Sequence, residues 1–154
     1  MKGRYFASLL ITVTLLLASS SANAITTKAA GRQYLNDVAS ADAALNIFDS
    51  QVHSWTNSTA DTEGEHEAAT VLEALRTLRE NLLSQDWPQF VKGDVRFIGV
   101  EDISSLEEDL REIDSNSSLG NGAFQLTFSA DSRTMDSDAF YVRKKLGLPI
   151  GKAL

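Results

Sequence analysis

The sequence predicts an all-α protein, an antiparallel up-down-up-down four-helix bundle behind a cleaved secretory signal. Three observations carry this. Four stretches place apolar residues three or four positions apart, the period of one helix face. The connections between them are short and built from turn-forming residues, which favours antiparallel neighbours. Strand signals are weak: Val95 to Val100 is the nearest to one, and its flanks are helical.

The leader comes first. Lys2 and Arg4 form a positive start, Phe6 to Ala18 is an uncharged and largely apolar run, and Ala22-Asn23-Ala24 has the small-x-small pattern of a signal-peptidase site. The run is shorter than the roughly 20 apolar residues that a membrane-spanning helix needs. The expected organisation is a signal over residues 1–24, a flexible lead over 25–32, the bundle over 33–148 and a tail over 149–154.

In the first helix, Tyr34, Val38, Ala41, Leu45, Phe48, Val52 and Trp55 recur at steps of four and three, close to a heptad repeat. Thr56 to Thr59 ends it. The second begins near Asp61, with acidic residues at its positive N-terminal end. Its stripe is Ala68, Val71, Leu75, Leu78 and Leu82, widened by Leu72 and Leu83. Asp86 is the expected N-cap of the third helix, with Pro88 in its first turn. The third stripe is Val91, Val95, Ile98, Ile103, Leu106, Leu110 and Ile113. The five-residue step from Ile98 to Ile103, beside Gly99, predicts a kink or break. A Ser/Asn/Gly loop over 115–122 leads to the fourth helix, whose apolar side is Phe124, Phe128, Met135, Val142 and Leu146. Arg143, Lys144 and Lys145 suit its carbonyl end, and Gly147 is the expected left-handed residue that closes it.

The leader takes two of the 14 Lys and Arg and none of the 21 Asp and Glu, so the chain without it carries −9 against −7 for the whole. Such a surface repels nucleic acid and anionic lipid and favours cationic partners. The chain has no cysteine, which excludes disulfides, thiolate metal sites, a Cys nucleophile and a lipid-modified Cys at the cleavage site. With no second long apolar run, stable membrane insertion after signal cleavage is not expected.

The residues Tyr34-Leu35, Val38-Ala39, Ala43-Ala44-Leu45, Gln85 with Trp87-Pro88, Asp94-Val95, Asp109-Leu110 and Val142-Arg143 with Leu146-Gly147-Leu148-Pro149 together form a pattern. In these short motifs, spread over most of the chain after the leader, the sequence is similar to small uncharacterised exported helical proteins of actinobacteria. The resemblance implies a bacterial envelope or secreted setting. It implies no activity and carries over no catalytic residue.

Few residue groups suggest chemistry. Glu63 and His66 make one Glu-x-x-His, half of a di-iron ligand pattern, but the only other histidine, His53, lacks a matching carboxylate. Both histidines are expected to face solvent, so no metal site is expected. Asp131 and Asp138 fall on or beside the inner stripe of the fourth helix. They are candidates for a polar ligand or cation site. A small rotation that turns Ala139 inward instead leaves them at the rim, paired with Arg76, Arg79, Arg96 or Arg111. At seven residues' separation, about 10.5 Å along a helix, they cannot form a close dyad.

The acidic run of Glu101, Asp102, Glu107, Glu108, Asp109, Glu112 and Asp114 reads as a solvated helix face. Trp55 and Trp87 are expected to lid the core, with a ligand pocket between helices as the alternative. Asn57 and Asn116 match the glycosylation sequon and fall in expected loops. No nucleophile elbow or phosphate-binding glycine loop is present. The resulting expectation is a cofactor-free, non-catalytic exported protein that acts through its surface on a cationic or protein partner in the cell envelope. The alternative is a small-ligand or metal carrier using the bundle core.

Overall fold

The computed structural model describes residues 26–52, 64–116 and 123–150. Trp55, His53, Asn57 and Glu63 lie outside them. Every regular element among the described residues is helical: α1 (Thr27–Val52), α2 (Glu65–Ser84), α3 (Gln89–Phe97), a π turn (Ile98–Asp102), α4 (Ile103–Asn116) and α5 (Ala123–Leu146). The α3–π–α4 run is one continuous rod, so four helical rods surround a shared core. No described helix is long and apolar enough to cross a membrane.

The described residues of each stripe face inward, except that Leu83, expected to widen the second, is exposed. Tyr34, Val38, Ala41, Phe48 and Val52 are buried on α1, as are Ala68, Val71, Leu75, Leu78 and Leu82 on α2. Leu45 is half-buried against the same core. The Thr26 hydroxyl caps α1 by accepting the Ala29 N–H at 3.3 Å. The helix therefore begins at Thr27 and takes up most of the stretch expected as a flexible lead, because Ala30 and Gly31 are buried there. A Cβ on Gly31 would stand 3.0 Å from Leu148, so the start of α1 and the end of the described chain are in close contact.

Aromatic residues fill both ends of the core. Trp87 packs edge-on against Tyr34, with ring centroids 6.2 Å apart, and its Nε1 donates to the Leu82 carbonyl at 2.8 Å. It is the expected lid and also serves the exposed carbonyl end of α2. At the other end Phe48, Phe124 and Phe128 form a cluster, with Phe48 and Phe128 at 5.0 Å.

Two helix ends differ in how they match expectation. Leu148 N–H bonds to the Arg143 carbonyl at 2.9 Å and Gly147 N–H to the Lys144 carbonyl at 3.2 Å, with Gly147 at φ +67°. This is the left-handed close that the sequence predicts. At the start of α3, however, Pro88 is itself the capping residue, with extended ψ. Asp86 makes no cap; its carboxylate pairs with Lys92 at 2.9 Å. The sequon residue Asn116 is the last residue of α4 rather than part of a loop.

Candidate functional site: a carboxyl pair at a π turn

The five-residue step between Ile98 and Ile103 is the period of a π turn. Ile103 N–H donates to the Ile98 carbonyl, one residue further back than in an α-helix, and both side chains stay buried. The extra residue locally widens the rod. Its cross-brace is Arg79 of α2, whose Nε donates to the Gly99 carbonyl at 3.1 Å. The same guanidinium reaches Ser104 Oγ at 2.8 Å and Glu107 Oε2 at 3.1 Å. Arg111 meets Glu107 Oε2 at 2.8 Å from the same rod. Glu107, only 2 % exposed, is thus buried between two cations.

On the α5 side of the π turn lies the second acid. Asp102 is 5 % exposed and hydrogen-bonds to Asp138 of α5. Two carboxyl groups hydrogen-bond only when a proton lies between them. Burial, with the nearby Asp138 charge and that bond, pushes Asp102 up from the ordinary carboxylate range to about 7. Glu101 and Asp131 add to the shift. Asp102 therefore holds the proton and donates it to Asp138. Its second oxygen, Oδ2, has no hydrogen-bond partner among the described residues, nor does the buried Tyr34 hydroxyl. Tyr34 and Asp102 are close enough to interact electrostatically. The hydroxyl is held protonated mainly by its burial, with Arg143 opposing and Asp102 adding to the shift.

Asp131 and Asp138 occupy the rim of α5, half-buried, while Ala139 and Leu146 turn inward. The rotation expected from the sequence is the one observed. Three of the four expected arginine partners are otherwise engaged: Arg79 and Arg111 hold Glu107, and Arg76 lies 3.9 Å from Glu73. Asp138 pairs with another acid instead.

The acidic run on the third rod is not a uniformly solvated face. Glu101 and Glu108 are exposed, but Asp102, Glu107 and Asp109 are buried. The stripe itself held the signal for Asp102. Val95, Ile98, Asp102 and Leu106 follow steps of three, four and four, which put a carboxylate on the inner face. Glu107 had a weaker one, standing four residues from Ile103.

No family model, curated protein or solved structure matches this chain.

Among the described residues, no group of three or more His, Asp or Glu side chains is arranged to hold a metal ion. His66 is exposed and lines an open groove of about 590 Å³ between α1 and α2, with Ser40, Ala44, Ala69, Thr70 and Thr77. Glu73 also lines that groove, but no second histidine or carboxylate joins it and His66 there. Trp87 is packed into the core, with its indole N–H bonded to the Leu82 carbonyl. The Asp102–Asp138 pair with Tyr34 is where polar chemistry concentrates. It can hold a proton, and it offers an unpaired carboxyl oxygen and hydroxyl to a small polar group.

Proposed function

We propose that this chain is an exported, non-catalytic helical protein that works through its surface, an antiparallel up-down-up-down bundle released from a cleaved signal into the secreted or periplasm-like space. The observation that carries the reading is a set of large apolar side chains left on the outside of a core already filled from within. Phe90 and Phe97 on α3 and Phe140 and Tyr141 on α5 are each about 40–50 % exposed. The Asp94–Lys145 ion pair, 2.6 Å long, ties these two helices together. Phe97 stands one turn from Asp94, and Tyr141 one turn from Lys145. In antiparallel helices these turns run the same way, so both rings flank the ion pair on one outward face.

An aromatic face of this kind suits a protein partner, since aromatic residues dominate the energetics of protein interfaces. The acidic remainder of the surface favours a partner with basic residues at the rim of the contact and disfavours nucleic acid. The test places a photo-crosslinking residue at position 97 or, as a control, at exposed position 77, in the exporting cell. A discrete crosslinked species from position 97, lost in Tyr141→Asp, supports the reading. Equal crosslinking from both positions, or none, overturns it. Mass measurement of the extracellular form tests the predicted cleavage after Ala24.

A second reading, a carrier of a small polar ligand, rests on the unpartnered Asp102 Oδ2 and Tyr34 hydroxyl. A bound ligand would raise the melting temperature. A panel of divalent cations and small amines that leaves it unmoved would remove this reading.

A further inference from the structure

We propose that the Asp102–Asp138 pair is a pH-sensitive latch between the π turn and α5, closed while the two carboxyls share one proton and loosened when that proton leaves. The proposal is independent of the surface reading above, because it concerns the core-facing side of the third rod.

The geometry defines both states. With the proton present, Asp102 donates to Asp138, and a buried acid is neutral. Without it, two carboxylates face each other across the contact between the π turn and α5. Asp131 of α5 and Glu101 of the π turn add further negative charge. From α1, Tyr34 is the facing group, and its hydroxyl is the neutral donor available to Oδ2. Arg143 of α5 acts on that hydroxyl. The cations of the third rod's other face do not relieve the pair: Arg79 and Arg111 are committed to Glu107. Repulsion and desolvation therefore fall on one contact, at the point where the helix hydrogen-bond pattern is already irregular.

The sign follows from linkage. The folded state raises Asp102 from the ordinary carboxylate range to about 7, so the folded chain binds a proton that the unfolded chain has already lost. This contribution to stability is fully present below about pH 4 and is lost as the pH rises through about 7. The half-exposed Asp138 moderates it, so the folded-to-unfolded ratio should fall by roughly tenfold to a hundredfold across that window.

The experiment has two arms. First, carbon-13 NMR of the Asp side-chain carboxyls is recorded on the full folded chain from about pH 4 to pH 9. One Asp titrating near neutrality, assigned to position 102 by its loss in Asp102→Asn and shifted down in Asp138→Asn, supports the latch. All carboxyls titrating below about pH 5, or a neutral titration unmoved by Asp138→Asn, overturns it. Second, amide exchange across 98–102 is compared at pH 5 and pH 8 after correction for intrinsic rates. At least about tenfold more opening at pH 8 in the wild type, absent in Asp102→Asn, is the expected result. Equal opening at both pH values overturns it. If Asp102→Asn does not fold, the wild type and Asp138→Asn still decide both arms.

Discussion

Arg79 Nε donates to the backbone carbonyl of Gly99, 3.1 Å away on another helical rod and twenty residues on in sequence. A π turn disturbs the regular carbonyl pairing of a helix, and here a side chain from α2 meets one of its carbonyls. The same guanidinium neutralises buried Glu107. One residue thus supports both the irregular backbone and the buried charge beside it.

Removing that brace should be costly. Arg79→Met is expected to destabilise the fold by about 2–3 kcal/mol, less than for a wholly orphaned buried charge because Arg111 still holds Glu107. Arg111→Met should cost less, since its side chain is half-exposed and it does not touch Gly99. Urea unfolding of the two variants checks the order.

The helix-closing glycine and an exposed mid-helix glycine should respond in opposite directions to the same change. Gly147→Ala places a side chain at φ +67° and should cost about 1–2 kcal/mol. Gly93→Ala on α3 meets nothing within 4 Å and should stabilise by about 0.5–1 kcal/mol. Thermal melts of the pair, with shifts of opposite sign, check this.

The phenylalanine cluster sets the integrity of the core end at which α1 and α5 meet. Phe128→Ala removes a ring stacked on Phe124 and 5.0 Å from Phe48. It should destabilise by about 3–5 kcal/mol. Phe128→Leu, which keeps most of the volume, should cost clearly less in the same denaturant titration.

Tyr34 offers a milder test of the polar site. Its hydroxyl is buried and has no hydrogen-bond partner among the described residues, while its ring packs against Trp87. Tyr34→Phe keeps the ring and should be neutral to stabilising by up to about 1 kcal/mol at pH 5, where Asp102 holds its proton. A loss of stability at pH 5 would show that the hydroxyl already has a necessary partner.

Much of the fold was legible because it depends on local periodicity. The stripes of α1, α2 and α5 and the Gly147 close are set by residues three to five positions apart, and a sequence displays those directly. Even the π turn was legible as the step from Ile98 to Ile103, expected as a kink and observed as one wider turn. The site was half legible. Asp131 and Asp138 stand out beside the α5 stripe, but Asp102 belongs to an acidic run whose Glu101 and Glu108 do face solvent, which masks its place in the 95–98–102–106 series. The Arg79 contacts span 20 to 28 residues and obey no period, so no local pattern announces them. Asp86 misled because an acidic residue before Pro reads as a cap, whereas its pairing with Lys92 depends on the turn's actual path.

The π turn also bears on chain length. Its wider turn accommodates one residue more than a continuous α-helix would need between Ile98 and Ile103, and Asp102 lies within it. Deleting Asp102 would bring the two isoleucines to a four-residue step and let a single uninterrupted α-helix run from Gln89 onward with its apolar face in phase. A shorter chain would thus make the more regular rod. The surplus residue and the buried acid share one five-residue turn, so a relative with a regular helix there would be expected to hold its acid, if any, in a different register.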